Sequence, residues 1–366
     1  MVYIIILLLI LIFVDFIFQT VSFYIRYAKK PLEIKTFDGY NQPYHPSVLY
    51  FSDGWNGYKF WMVLTPYPMN GKPYKDRWEC PCIYSSENGK EWVVPGNLIN
   101  PLDDLSDKEI ENKDFFSDPH LVYVNDRIEC WYRISHHSGN GGDMDTFIVR
   151  KVSYDGIDWC KREVMIDPLQ EDIKNNLGDM VRSPAIIYHG KYYMWYVDNK
   201  KNVGQRNICY TVSEDGKNWI KSQKCILYSY DINPWYIDVN YIDNFYWLTV
   251  YDLNNITLWK SVDGVNFEFL KILLSPSLKY GSFYSDGLYR SVLIKDDKDY
   301  RLYFSAFDDQ KTSIGLMQGK TPMHMKIQNI KNNKIYFLRN VILVYLFNRK
   351  RDLSVLKSRI LSRNFL

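Results

Sequence analysis

The stretch "TVSEDGKNW", from Thr211 to Trp219, decides the fold because the chain repeats its pattern. Related stretches occur upstream as "YSSENGKEW" (Tyr84 to Trp92) and "KVSYDGIDW" (Lys151 to Trp159), and downstream as "KSVDGVNF" (Lys260 to Phe267). Their shared form is Ser-x-Asp/Asn-Gly-x-x-aromatic. The Asp-Gly pair supplies the positive φ that a tight hairpin turn requires. Each copy therefore predicts a turn at the end of a strand.

Each turn belongs to a larger repeated unit of antiparallel strands. A first strand opens with a polar residue, as in "HPSVLYF" at His45 and "DPHLVYV" at Asp118, and an aromatic second strand follows. A third strand runs into the turn, whose glycines (Gly89, Gly156, Gly216 and Gly264) are 67, 60 and 48 residues apart. Five units fit between residues 40 and 319, the last one degenerate at "SIGLMQGK". The pattern predicts an all-β, five-bladed β-propeller, with the turns in a structural role.

The composition agrees with this fold class. Aromatic residues make up 17% of the 366 residues, with 31 Tyr and 11 Trp, which favours β-structure and also suits contact with sugars. The six cysteines have neither disulfide-framework nor zinc-site spacing, and we interpret them as buried strand thiols. We expect no cofactor and no metal. The pair His136-His137, followed by "SGNGGDMD", is expected in a long loop of the second unit, which we interpret as a flexible rim rather than a metal site.

The charge is distributed unevenly. Residues 1–30 carry +2 and residues 320–366 carry +10, which leaves −9 for residues 31–319 out of a total of +3. An acidic body with two basic ends is typical of a protein at a membrane surface rather than of a nucleic-acid binder.

The two ends predict membrane contact. The stretch from Val2 to Ile25 is long and apolar enough to span a bilayer, and it lacks a basic leading region and a cleavage site. We expect residues 1–30 to form a single-pass anchor. The basic residues after it favour the cytoplasmic face for the body by the positive-inside rule. The basic, partly apolar tail over 320–366 contains an apolar run from Val341 to Phe347, which suits either an interfacial helix or a helix packed on the body.

The repeated turns and the polar openings of the first strands resemble the five-bladed propeller superfamily of glycosidases, with its arabinanase, β-xylosidase, invertase and levansucrase types. The resemblance covers roughly Tyr40 to Gly319. The stretch "HPSVLYFSDGWNGYKFWMVLTPYP", beginning at His45, is similar to an uncharacterised bacterial and phage group of glycosidase-like propellers. The resemblance implies that the first strands begin at a central funnel, where carboxylates flank a glycosidic bond.

Three acids are the candidate catalytic residues. Asp118 matches the Asp-Pro of the second blade, which in the arabinanase type orients and tunes the general acid. Asp238 opens the first strand of the fourth unit in "PWYIDVNY", and Glu79 in "WECP" precedes a third strand, which should begin on the same face as the first. Each acid could instead cap a turn or pair with a cation between blades.

Two positions depart from the resembled superfamily. His45 stands where the superfamily has its aspartate base, and Arg182-Ser183-Pro184 stands where it has an acidic Glu two residues before Pro. Neither role carries over to these positions.

A second set of residues is expected to contact substrate. Trp235 can stack on a sugar ring, and His45 is either a hydrogen-bonded scaffold residue or a ligand. Arg182 and Arg290 could bind an anionic sugar, or could neutralise Asp118 and Asp238 instead. The full set is His45, Tyr67, Arg182, Trp235, Asp286, Tyr289 and Arg290.

These residues predict a membrane-anchored, monomeric glycoside hydrolase or transglycosidase that acts on a surface polysaccharide or glycolipid. The departures at His45 and Arg182 leave open a glycan-binding propeller without catalysis. A third reading, a membrane-bound scaffold protein, predicts a plugged or apolar funnel.

Overall fold

The structure is a computed structural model that describes part of the chain: residues 3, 6–7, 9–17, 30–69, 79–112, 114–137, 144–178, 180–198, 206–277, 282–308 and 311–327. Residues 9–17 are helical. Within the described ranges, no helix combines the length and the apolar character needed to cross a bilayer. Much of the predicted anchor over 1–30, and the predicted tail beyond residue 327, lie outside the described residues.

In the described ranges, twenty strands form five sheets, which are the blades, numbered in chain order. Blade 1 holds β1 (Pro43–Trp55), β2 (Tyr58–Pro66) and β3 (Cys82–Ser86). Blade 2 holds β4 (Phe115–Val124), β5 (Arg127–His137), β6 (Met144–Ser153) and β7 (Glu163–Ile166). Blade 3 holds β8 (Val181–Tyr188), β9 (Tyr192–Asp198), β10 (Asn207–Ser213) and β11 (Gln223–Lys224).

Blade 4 holds β12 (Ile226–Tyr228), β13 (Tyr236–Ile242), β14 (Phe245–Tyr251), β15 (Ile256–Ser261) and β16 (Asn266–Leu274), with β12 parallel to β16. Blade 5 holds β17 (Gly287–Lys295), β18 (Tyr300–Phe307), β19 (Thr312–Gly319) and β20 (Lys326–Ile327). The helical segments described between and after the strands are short: α1 (Asp107–Glu111), α2 (Glu171–Leu177) and a 3₁₀ turn (Pro322–His324).

The first strands of the five blades close a ring. β1 contacts β4, β4 contacts β8, β8 contacts β13, β13 contacts β17, and β17 returns to β1. One apolar cluster fills each of the five blade-to-blade interfaces. The predicted five-bladed, all-β propeller is confirmed.

The repeated turn is held together by its own side chains. In the third unit, Ser213 Oγ accepts a hydrogen bond from the Gly216 N–H at 2.9 Å, and Asp215 Oδ1 accepts from the N–H groups of Lys217 and Asn218 at 2.8 Å each. The other three copies of the motif form the same bonds. These bonds use groups within a few residues of one another, which explains why the turn is legible in the sequence.

The turn glycines also set the approach of one blade to the next. Gly156 of blade 2 has φ +79°, and a Cβ there would overlap the ring of Trp61 on β2. At the interface between blades 3 and 4, Trp195 Nε1 donates to the carbonyl of Gly264 at 2.6 Å. The corresponding pairs are Gly216 with Trp131 and Gly89 with Tyr303. Only glycine combines the positive φ with so close an aromatic neighbour.

All six cysteines are free thiols, and five of them are buried as expected. Three of the five, Cys82, Cys130 and Cys209, lie in strands, whereas Cys80 and Cys225 lie just outside them. Cys160 is exposed. It follows the turn of blade 2, outside the strands, so no blade covers it.

Candidate functional site

The first strands of blades 1, 2 and 3 enter the funnel in the same way. His45, Asp118 and Ser183 each precede a proline and have φ values of +52°, +54° and +50°. The ladder to the second strand shifts register at each of these positions. A positive φ in a residue other than glycine is uncommon and concentrates at functional sites. The three side chains are buried, at equivalent places in three successive blades.

Asp118 is held as an ionised carboxylate. Its Oδ2 lies 3.2 Å from Arg133 Nε and accepts a hydrogen bond from the Ser183 N–H at 3.3 Å. Burial alone would raise the pKa of Asp118, but the guanidinium groups of Arg133 and Arg290 outweigh it and lower the pKa below its usual value. Arg133 comes from β5, the second strand of the same blade.

Glu79 has the opposite character. It stands just before β3 with φ +58°, and its side chain is 13% exposed. Its buried Oε2 has no hydrogen-bond partner within the ranges that the structure describes. Burial and the negative charge of Asp118 raise the pKa of Glu79 to about 8, although Arg133 opposes the change. At neutral pH the site therefore holds a protonated carboxyl group near an ionised one.

His45 lies next to Glu79 as a neutral imidazole. Its Nδ1 is 2.8 Å from Thr65 Oγ1 and 3.9 Å from Glu79 Oε2. Its buried Nε2 has no hydrogen-bond partner in the part of the chain that the structure describes. Burial lowers the pKa of His45 to about 3, and the positive charges of Arg290 and Arg133 act in the same direction, against Asp118. The ring can therefore offer an N–H or a lone pair without carrying charge.

Aromatic rings surround this group. The Tyr289 ring lies 5.4 Å from that of Tyr44, 4.2 Å from that of Tyr236 and 5.3 Å from that of His45. Tyr67 lies 5.5 Å from Tyr44, and Trp235 Nε1 donates to the Tyr289 hydroxyl at 3.0 Å. The structure thus brings the predicted Tyr67, Trp235 and Tyr289 together beside His45.

Asp238 belongs to a different set of contacts, in the closed centre of the ring. Its Oδ1 is 3.8 Å from His120 Nδ1, and its Oδ2 accepts from Asn240 Nδ2 at 2.8 Å. Arg290 Nη2 lies 3.3 Å from the same His120 nitrogen, and all three side chains of this centre are buried. Burial raises the pKa of Asp238 to about 7, against the positive charge of Arg290.

The remaining predicted residues, Arg290, Arg182 and Asp286, differ in burial and in the groups that they contact. Arg290 is fully buried, and its charge acts on Asp118 and Asp238, in line with the neutralising role. Arg182 is partly exposed, and its Cζ lies 5.6 Å from the centre of the Trp235 ring. Asp286 is exposed in the turn before β17, where its N–H donates to the Phe307 carbonyl.

Sequence reasoning missed three cationic or basic residues of the site: Arg133, His120 and Arg206. Arg133 could have been noticed as the lone charge in "CWYRIS", within an otherwise apolar stretch. Arg206 directly precedes β10, the third strand of its blade, so the argument that selected Glu79 applies to it as well. Across the described ranges, no group of three or more His, Cys, Asp or Glu side chains is placed to hold a metal ion.

Comparisons with known proteins support the fold and connect it to carbohydrates. No protein-family profile matches the chain. The chain is 24% identical over 339 residues to the A type blood N-acetyl-alpha-D-galactosamine deacetylase of Flavonifractor plautii, an alignment that covers 79% of this chain and 43% of that protein. The chain thus spans less than half the length of this curated relative.

Solved structures of carbohydrate-processing enzymes also superpose on this chain. An N-acetylgalactosamine deacetylase from F. plautii, in complex with blood group B trisaccharide, superposes with a TM-score of 0.63 at 22% identity, over 80% of this chain and 94% of that one. A glycoside hydrolase superposes with a TM-score of 0.57 at 13% identity, over 84% and 95% of the two chains. At such identities the likeness establishes a shared fold, and this propeller has carbohydrate-processing enzymes among its structural neighbours.

Proposed function

We propose that this chain is a glycan-processing enzyme that cleaves a glycosidic bond in its central funnel, with Glu79 as the general acid and Asp118 as the ionised carboxylate. The observation that supports this most strongly is the divergence of their pKa values, one raised to about 8 and the other lowered, within one buried group. Two carboxyl groups in opposite protonation states are what glycoside hydrolysis requires.

The proposed chemistry uses each group in the state in which the fold holds it. Glu79 gives its proton to the glycosidic oxygen as the bond between that oxygen and the anomeric carbon breaks. Asp118 is the carboxylate that acts as base or nucleophile, and Arg133 fixes its position. Water supplies the hydroxyl group that ends on the anomeric carbon, and its other proton restores the acid. The partly exposed rings of Tyr67 and Tyr289, which pack on the buried ring of Tyr44, would provide the apolar surface for a sugar.

Asp238 is assigned a positioning role in this scheme, because its contacts are with His120, Asn240 and Arg290 in the closed centre. Through His120 it would help to hold Arg290, whose positive charge also acts on Asp118. This differs from the direct catalytic role that the sequence suggested for it.

A second reaction, removal of an N-acetyl group from an amino sugar, is supported by the similarity to the F. plautii deacetylase over 79% of this chain. The same two groups would serve it. The ionised Asp118 would accept a proton from the attacking water, and the protonated Glu79 would donate one to the departing amine.

The cellular setting follows from the sequence alone. We propose that residues 1–30 anchor the propeller in a membrane, that the basic tail contributes to membrane contact, and that the body faces the cytoplasm. A monomeric protein at that surface would meet a polysaccharide or glycolipid substrate in the membrane plane.

The test is an assay of the full-length chain on neutral, acidic and N-acetylated oligosaccharides, with new reducing ends and free acetate measured in parallel. Reducing ends identify a glycosidase, and acetate identifies a deacetylase. The variants Glu79→Gln and Asp118→Asn should each abolish turnover. Their matched controls, Glu87→Gln and Asp158→Asn, remove exposed acids of the same blades and should retain it. Binding without either product would instead support the non-catalytic glycan-binding alternative and overturn the enzyme assignment.

A further inference from the structure

Arg206 is a cation without an acidic partner beside the funnel. Its Cζ lies 4.2 Å from the centre of the Trp235 ring, and its N–H donates to Asn233 Oδ1 at 3.1 Å. Its Nε and Nη1 are buried, and among the described residues they have no hydrogen-bond partner. A guanidinium group has five N–H donors, and leaving them unpaired in a buried place costs free energy.

Arg182 adds a second cation at the same ring. Its Cζ lies 5.6 Å from the centre of Trp235, and its Nε donates to the Met180 thioether at 2.8 Å, which is a weak acceptor. Burial lowers the pKa of Arg182, and the positive charges of Arg133 and Arg206 lower it further. Like charges are thus held together here, and no carboxylate in the described part of the chain forms an ion pair with Arg182 or Arg206.

A cavity lies on one side of Arg206. Arg206 also lines a cavity of about 770 Å³ between blades 3 and 4, together with Asn207, Lys224, Tyr230 and others. The one acid in that lining, Asp231, is exposed and makes no ion pair with Arg206. Trp235, whose ring Arg206 contacts, donates its Nε1–H to the Tyr289 hydroxyl, which lies beside His45.

The charges around the funnel also favour an anionic ligand. Three guanidinium groups, those of Arg133, Arg182 and Arg290, interact electrostatically with one carboxylate whose pKa is lowered, Asp118, and a fourth, Arg206, acts on Arg182. The pKa values of the other two acids, Glu79 and Asp238, are raised to about 8 and about 7. The body around this cationic centre is acidic, at −9 over residues 31–319. The positive charge is therefore local to these arginines and is not a general property of the protein surface.

We propose that Arg182 and Arg206, held against Trp235, form a subsite for an oxyanion carried by a sugar residue of the substrate. The geometry suits a carboxylate, sulfate or phosphate, because guanidinium groups bind such planar or tetrahedral oxyanions through paired N–H donors. This proposal rests on the proposed function only in taking the funnel as the glycan site. It names the substrate class: an acidic glycan whose charged residue sits next to the residue that the carboxyl groups attack.

The test is a binding measurement that does not depend on turnover. The full-length chain is applied to an array that carries each oligosaccharide in a neutral and an acidic form: uronic acids against their methyl esters, and sugar 6-phosphates and 6-sulfates against the unsubstituted sugars. We expect a preference for the acidic form of about tenfold or more, weakened by added salt. Whichever acidic pair shows the preference distinguishes the carboxylate from the phosphate and sulfate sources.

Variants assign the preference to the two arginines. Arg206→Gln and Arg182→Gln should each reduce it severalfold, Arg206→Lys should keep part of it, and Lys221→Gln, which removes an exposed lysine of the same blade, should leave it unchanged. Unaltered melting temperatures establish that the variants are folded. Equal binding of both forms by the wild type, no binding to any acidic glycan, or full preference in folded Arg206→Gln overturns the proposal.

The two proposals fail separately. An acidic preference without any product leaves the subsite standing and removes the enzyme assignment. Turnover of neutral glycans without a preference for acidic ones keeps the enzyme assignment and removes the subsite.

Discussion

Nδ1 of His45 lies 3.9 Å from Oε2 of Glu79, yet the two side chains do not form an ion pair at neutral pH. Burial lowers the pKa of His45 to about 3 and raises the pKa of Glu79 to about 8. Between these values both groups are neutral. Glu79 therefore keeps a proton that it can donate, and His45 does not draw it away as a charged partner would.

The first prediction concerns the pH dependence of activity. Turnover should fall as the pH rises through about 8, because Glu79 then loses the proton that it has to donate. Glu79→Gln cannot donate this proton, so the rate should drop by about 10²–10⁴-fold, and the residual rate should lack the alkaline limb. Initial rates from pH 4 to 10 measure both effects, with Glu87→Gln as the control. A wild-type rate that stays flat to pH 10 would contradict the assignment of Glu79.

The second prediction concerns stability and Asp238. Its pKa is raised from 3.8 to about 7 in the fold, so between these values the folded chain holds a proton that the unfolded chain releases. This contribution to stability is complete below the unfolded value and is lost as the pH rises towards 7. Asp238→Asn removes the dependence. We therefore compare the free energy of unfolding of Asp238→Asn with that of the wild type. The variant's value minus the wild-type value should increase by on the order of a few kcal/mol from acidic to neutral pH.

Urea denaturation at pH 4.5 and pH 7.5 measures this change. The exposed Asp158→Asn should show the same difference from wild type at both pH values. A constant difference for Asp238→Asn as well would mean that Asp238 is ionised in the folded protein across this range.

The third prediction concerns the pair of Arg133 and Asp118, whose Nε and Oδ2 are 3.2 Å apart in a buried place. Arg133→Met leaves a buried carboxylate without its main counter-charge. We expect a loss of about 3–5 kcal/mol in the free energy of unfolding. The pKa of Asp118 should rise as well, which moves the acidic limb of the rate profile to higher pH.

The control for Arg133 is Lys217→Met, which breaks the exposed pair with Glu163 and should change stability by less than about 1 kcal/mol. If Arg133→Met leaves the acidic limb in place, Asp118 is not the group that sets it.

The sequence predicted the propeller because its defining bonds are local. Ser213 and Asp215 bind N–H groups within the same turn, and a reader of the sequence can see all the partners at once. Asp118 was identifiable for another local reason, because it directly precedes a proline in a first strand, although its partners Arg133 and Ser183 are distant in sequence. The number of blades and their order followed from counting the repeats.

The site was predicted less completely because it depends on register and on distant strands. β13 pairs with β14 without the register shift that four other first strands have at the funnel. Asp238 therefore joins His120 and Arg290, although its place near the start of the strand suggested a position beside Asp118. Arg133 and Arg206 reach the site from second and third strands, where no motif marks them.

The last prediction tests whether the turn glycines set the distance between blades. Gly156 and Gly190 both have positive φ, +79° and +72°, so alanine at either place is strained, at a cost of about 1–2 kcal/mol. A Cβ on Gly190 would meet no atom within 4 Å, whereas a Cβ on Gly156 would overlap the buried ring of Trp61 in the preceding blade. Gly156→Ala should therefore cost about 1–3 kcal/mol more than Gly190→Ala. Chemical denaturation of the two variants measures the difference, and equal losses would show that the backbone conformation alone, and not contact between blades, selects glycine in the repeated turn.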